Sequence, residues 1–89
     1  MIRMFVRHNV KSYSAWRKAY NAFDKERQGM GVTAHAVYNT EGFPNDVTIT
    51  HDFKNMAAAQ KFAASPRLKA VMAKAGVASP PQMWFTSPS

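Results

Sequence analysis

The chain has 89 residues, 46% of them hydrophobic and 19% charged, a composition that suits one globular domain and excludes both a second core and a wholly disordered chain. Cysteine is absent, which excludes a disulfide framework, a thiolate metal site and a cysteine nucleophile together. Twelve Lys and Arg against five Asp and Glu give a formal charge of +7. Lys11, Arg17, Lys18, Lys25, Lys54, Lys61, Lys69 and Lys74 are scattered among apolar residues, however, and read as solvated helix faces.

No run approaches the roughly 18 apolar residues of a membrane span, and Met1, Ile2, Arg3 and Met4 alternate where a signal peptide would be solidly apolar. A cytoplasmic protein is the expectation. A domain this small buries a modest share of its surface alone, which favours a homodimer.

Residues 2–8 set Ile2, Met4 and Val6 against Arg3, Phe5 and Arg7, and this period of two predicts a first strand. From Ser12, the expected N-cap, the spacing changes to Tyr13, Trp16, Tyr20 and Phe23, so a long amphipathic helix is predicted to end near Gln28, before Gly29 and Gly31. Trp16, Tyr20, Phe23 and Arg27 fall on one narrow stripe of it. Residues 32–39 and 47–53 are rich in β-formers, and the turn-forming residues 40–46 join them as a hairpin. Asn55 is expected to cap an Ala-rich helix through Ala64. Ser65 and Pro66 restart it until Gly76, since proline is tolerated at the first helical position. After Pro80 and Pro81, residues 82–86 read as a last short strand, with a frayed tail beyond.

The order strand, helix, strand, strand, broken helix, strand predicts a single α+β domain over residues 1–89, ferredoxin-like, β-α-β-β-α-β, with an antiparallel sheet and both helices on one face. Within that sheet, strands one and three are expected to be central and to run the same way. The other face, carrying Arg3, Phe5 and Arg7, is left for a second copy to cover.

If strands one and three run together, His8 and His51 lie at neighbouring strand ends. By alternation His8 shares the face of Met4 and Val6, and His51 that of Val47, Ile49 and Phe53. Both imidazoles then look into a cleft walled by Trp16 and Tyr20. On strand two, Ala34 and Ala36 are expected to leave room for a ligand, with Tyr38 at the end of that face and His35 on the other. Arg27 extends the helix stripe either to meet an anionic substrate group or to reach solvent. A polar pair in an aromatic cleft is the usual form of a small-molecule site.

Several other constellations fail. His51 and Asp52 are strand neighbours, point to opposite faces and cannot form a dyad. No phosphate-cradling glycine loop, HExxH or paired-carboxylate motif occurs, and two histidines make no metal site.

His8, Val10, Tyr13, Ser14, Ala15, Trp16, Phe23, Arg27 and Gly31, then Pro44, Asn45, Asp46 and Val47, then Ser65, Pro66, Leu68, Met72, Ala75, Gly76 and Val77, span nearly the whole chain. In these residues it resembles the small dimeric α/β-barrel proteins grouped with the antibiotic biosynthesis monooxygenases. The resemblance implies the fold and a homodimer more directly than a chemistry. The wider superfamily includes cofactor-independent oxygenases of polycyclic phenols, haem-degrading enzymes, isomerases and binding proteins. Asn9 falls near a functional Asn of the haem-degrading members, but no histidine follows Asp52 to act as an axial ligand. The quinone-forming oxygenases use Asn, Trp and Arg in their pocket, and here Trp16 and Arg27 come from the first helix.

The expectation is thus a homodimeric cleft protein for an aromatic or polycyclic metabolite, acting as a cofactor-independent monooxygenase or isomerase without metal or flavin. His8 or His51 is the general base, near its ordinary pKa of about 6.5. Trp16, Tyr20, Arg27 and Tyr38 bind the substrate. The alternative is ligand binding without catalysis. Specific nucleic-acid binding is not expected. Residues 47–53 contain no glycine, Lys or Arg, which leaves Phe5 as the sole stacking platform on the open face.

Overall fold

The period-two segments become four strands, β1 (Ile2–Asn9), β2 (Val32–Thr40), β3 (Phe43–Phe53) and β4 (Gln82–Thr86), in one sheet of order β2-β3-β1-β4. The structure is a computed structural model and describes residues 1–89. Four helices, α1 (Tyr13–Ala22), α2 (Asp24–Gly29), α3 (Met56–Ala63) and α4 (Pro66–Lys74), fill the two crossovers. This is the ferredoxin-like arrangement expected from the element order. No helix is long and apolar enough to cross a membrane.

Strands β1 and β3 are central, but they run antiparallel, with Met4 opposite His51 and His8 opposite Val47. The first crossover returns β2 parallel to β1, and the hairpin then reverses β3 before it inserts between them. The expectation that they run the same way is therefore corrected. His8 and His51 lie four residues apart along the sheet, about 13 Å at the usual rise per residue.

The hairpin is tighter than the sequence suggested. Glu41 and Gly42 alone make the turn, with Gly42 at φ 82° where a side chain would be strained. The register passes from Asn39–Val47 directly to Thr40–Phe43, so Pro44, Asn45 and Asp46 of β3 bow out of the pairing with β2. That bow puts Asn45 to use. Its side-chain carbonyl accepts the Tyr13 N–H at 2.9 Å and its backbone carbonyl accepts the Val10 N–H at 2.9 Å. Ser12 has extended backbone as a cap residue should, yet its side chain makes no capping bond.

The predicted long first helix is two helices, broken at Phe23, whose φ of −88° and ψ of 0° leave the helical region. The second helical stretch behaves as expected: Asn55 accepts the Ala58 N–H at 2.9 Å and Ser65 accepts the Leu68 N–H at 3.3 Å. The core lies between the helices and one sheet face, where Trp16, Tyr20, Phe23, Ala59, Phe62 and Leu68 meet Met4, Val6, Val47, Ile49 and Phe53. The opposite face is uncovered. There Arg3 makes a bidentate pair with Asp52 and Arg7 with Asp46.

Candidate functional site

A small, partly open cavity of about 50 Å³ lies between the sheet and the helices. Its floor is the inward-facing residues of β1 and β3, namely Met4, Val6, His8, Ile49 and His51. Trp16, Tyr20, Phe23 and Arg27 form one wall, Phe62 and Leu68 another, and Val71, Met72 and Ala75 of the α4 segment the roof. The volume admits a few waters, each needing about 10–15 Å³, and falls short of the ~300 Å³ at which small-molecule pockets begin. Within α4 only Leu68 is buried, and the roof residues are half-exposed. The roof is therefore the part of the wall held by the least packing.

Aromatic rings connect the two ends of the cavity. His8 meets Trp16 edge-on at 5.8 Å, Trp16 stacks on Tyr20 at 4.9 Å, and Tyr20 stacks near His51 at 6.2 Å, with its hydroxyl 3.1 Å from His51 Nε2. The expectation that both imidazoles enter an aromatic-walled cleft is met geometrically, but they stand at opposite ends with Trp16 and Tyr20 between them.

Their protonation also differs from expectation. Burial, helped by the Arg27 charge, pushes His51 down to about 3, so at neutral pH it is uncharged and a feeble base. Burial also lowers His8, partly offset by a backbone hydrogen bond at Asn9. Tyr20 is pushed up to about 12 by burial, against the nearby Arg27 charge, and keeps its proton.

Arg27 does not reach solvent. It is 2% exposed, with its guanidinium 3.6 Å from the centroid of the Tyr20 ring. One Nη donates to the Tyr20 carbonyl at 2.6 Å and the other to Asp24 at 3.2 Å. The Tyr20 carbonyl lies at the break before Phe23, where it also accepts the Phe23 N–H at 3.2 Å.

Tyr38 is not in the cavity. Val32 pairs with Phe53 and faces the core, but Ala34 already pairs with Asp52, so Thr33 is an extra residue in a bulge. The bulge inverts the alternation. His35 and Val37 consequently face the helices opposite His51 and Ile49, while Ala34, Ala36 and Tyr38 face the open side, where Tyr38 is 58% exposed. The placement of Ala34, Ala36 and Tyr38 beside a ligand is thereby corrected, and so is that of His35.

Solved structures match this architecture along the whole chain. A putative antibiotic biosynthesis monooxygenase from Bordetella bronchiseptica superposes with a TM-score of 0.84 at 14% identity, covering 99% of this chain and 96% of that one. The chain has the antibiotic biosynthesis monooxygenase fold. SnoaB, a cofactor-independent oxygenase from Streptomyces nogalater, shares this fold with a TM-score of 0.76 at 11% identity, covering 99% of this chain and 94% of its own. A protein of unknown function from Nitrosomonas europaea, NE2512, does so with a TM-score of 0.76 at 21% identity, covering 96% and 85%. No protein-family model matches the sequence, and no curated protein is matched by it.

Within this fold the residues that sequence reasoning missed are those of the cavity roof and Met83 of β4, which lines the space beside Val6. The helical spacing of Leu68, Val71, Met72 and Ala75 marked a buried face, but nothing in it said that the face closes over a cavity. On the open face Trp84 was missed as well. It stacks on Phe5 at 5.3 Å and 3°, so Phe5 is not a lone aromatic there. No group of three or more His, Asp or Glu side chains is placed to hold a metal ion.

Proposed function

We propose that this protein binds a small aromatic metabolite in the cavity beneath α4 and oxidises or isomerises it without a resident cofactor, as a homodimer in the cytoplasm. The observation that carries this reading is the run of rings from His8 through Trp16 and Tyr20 to His51 along one cavity. Such a wall favours a flat ring system. The likeness of fold to SnoaB supports an oxygenase among the possible chemistries.

The protein's task in such a reaction is to take a proton from the ligand. His8 is the better base of the two, because Tyr20 occupies Nε2 of His51 and burial holds that ring far below neutrality. His8 lies at the end of the cavity where β1 also borders an outer polar cleft with Arg7, Asn9, Asp46, Ser79 and Gln82. Once the proton is lost, the ligand carbanion supplies the electron pair to dioxygen. One oxygen atom stays as a new carbonyl and the other leaves as water.

Oxygen uptake with 1,5-dihydroxynaphthalene tests this reading. Turnover is expected to fall at least 100-fold in His8→Ala, the contribution a general base usually makes. Full turnover in that variant removes His8 from the role. A second reading, binding without catalysis, is favoured by walls in which all lining residues but His8, Arg27 and His51 are hydrophobic. It replaces the first if no phenol is turned over while an apolar ligand stays bound through purification and raises the melting temperature.

A further inference from the structure

Three side-chain polar atoms are fully buried without a hydrogen-bond partner in the protein: His8 Nδ1, Arg27 Nε and His51 Nδ1. All three belong to residues that line the cavity. A buried polar group left unpaired costs about 1–3 kcal/mol, so natural proteins keep few of them. Their confinement to one cavity indicates that the partners come from outside the chain.

Two of the three atoms are donors. Arg27 Nε can only donate. For His51 the tautomer follows from Tyr20. If the Tyr20 hydroxyl donates to Nε2, its hydrogen is satisfied and the ring's own proton sits on Nδ1. The reverse assignment would strand both the hydroxyl hydrogen, which has no other acceptor, and the Nδ1 lone pair. The first arrangement leaves a single N–H of His51 unpaired, on a residue that lines the same cavity as Arg27 with its own unpaired N–H.

The charged group at this end is the Arg27 guanidinium, and its carboxylate partner stands on the solvent side. The carboxylate that pairs with Arg27, Asp24, is 39% exposed, also accepts Gln28 at 2.9 Å and lies 3.8 Å from His35 Nδ1. It therefore neutralises the guanidinium from the solvent side. The guanidinium lies over the Tyr20 ring at 3.6 Å, with the Phe23 ring 6.0 Å away.

We infer that the Arg27–His51 end of the cavity is an oxyanion site, which takes an ionised oxygen of the ligand from Arg27 Nε–H and His51 Nδ1–H. The inference rests on the cavity being the ligand site proposed above. It makes His51 a donor to the ligand rather than a base, and it assigns the ligand an acidic oxygen at one end of an otherwise apolar ring body. That oxygen is either a carboxylate, charged before it binds, or a phenol or enol oxygen that ionises in place. Charge-assisted hydrogen bonds of this kind are about twice as strong as neutral ones.

The test uses three probes of one shape, 2-naphthoate, 2-naphthamide and 2-naphthol, titrated against the intact protein at pH 7 with Trp fluorescence and calorimetry. Naphthoate binding at least tenfold tighter than naphthamide supports the site and identifies a carboxylate. The absorbance of ionised naphtholate appearing on binding, without a naphthoate preference, supports it and identifies a phenol or enol. In either case Arg27→Met and His51→Phe are expected to abolish the discrimination while retaining affinity for naphthamide, which also shows that they fold. Equal binding of naphthoate and naphthamide, with naphthol still protonated, overturns the oxyanion site and leaves the ligand cavity standing. No binding of any probe overturns both.

Discussion

The Tyr20 hydroxyl lies 3.1 Å from Nε2 of His51 and ties α1 to β3 inside the core. Both partners are neutral, because burial raises the phenol to about 12 and, with the Arg27 charge, lowers the imidazole to about 3. The bond fixes the direction of the ring's remaining proton and so separates the two histidines chemically. His51 is held as a donor, and His8 is left free to accept.

A neutral buried His51 makes stability depend on pH in a definite direction. In the unfolded chain it titrates near 6.5, and in the folded protein only near 3. Between those values the unfolded state binds the extra proton, so stability is complete above about pH 6.5 and is lost as the pH falls, by up to ~1.4 kcal/mol per pH unit. His8, also lowered, acts in the same direction. The carboxylates of Glu26, Asp46 and Asp52 are lowered from ordinary values near 4, so their effect begins only in more acid solution. Urea unfolding at pH 7.5 and 5.0 is expected to show a loss of about 2 kcal/mol in the natural protein. In His51→Phe at least half of that loss should disappear. A natural protein equally stable at both pH values would mean that His51 is solvated or charged in the fold.

Tyr20→Phe keeps the ring against Trp16 and Arg27 but removes the hydroxyl from His51. One buried imidazole nitrogen then loses its partner, at a cost of about 1–3 kcal/mol. Urea unfolding at pH 7.5 measures this. A change below ~0.5 kcal/mol would show that water replaces the hydroxyl, and hence that the cavity is wet at this end.

Much of the fold was legible because its elements are encoded locally. The period-two runs, the Asn55 and Ser65 caps and the glycine at position 76 all act within a few residues of themselves. What was not legible depends on pairing across the sheet. Thr33 looks like any strand residue, yet as the extra residue of a bulge it turns Tyr38 out of the cavity and His35 toward it. The antiparallel run of β1 and β3 follows from where β3 inserts, and it separates the two histidines that the sequence reading had placed together. The depressed pKa of His51 comes first from its burial under the helices and is deepened by the Arg27 charge, neither of which strand alternation alone reveals. The stripe of Trp16, Tyr20, Phe23 and Arg27 was nevertheless correct as a buried surface, because the turn at Phe23 carries Arg27 in rather than out.

The start of α1 offers a direct comparison of a local cap with a tertiary one. Ser12 occupies the cap position, but the Tyr13 N–H is satisfied by the side chain of Asn45, 32 residues away. Asn45→Ala is therefore expected to destabilise the protein by about 1 kcal/mol, the ordinary effect of losing a cap, and Ser12→Ala by less than ~0.5 kcal/mol. Thermal melts of the two variants read the difference. The opposite ranking would show that Ser12 caps the helix in solution.

The uncovered sheet face carries the remaining prediction. Phe5 stacks on Trp84 there, with Trp84 43% and Tyr38 58% exposed, while the flanking Arg3 and Arg7 are each neutralised by a bidentate carboxylate. An aromatic patch whose charges are already paired on its own sheet offers a second copy no electrostatic repulsion, and burying it recovers about 25 cal/mol for each Å² of apolar surface removed from water. Sedimentation equilibrium at low micromolar concentration is expected to give twice the 10.0 kDa mass of the chain. Phe5→Glu combined with Trp84→Glu places two like charges on adjacent strands of this face, and both would be desolvated in the dimer, so this variant should sediment as a monomer with its circular dichroism unchanged. A natural protein that sediments at 10.0 kDa removes the dimeric barrel. A double variant that remains dimeric moves the interface to another surface.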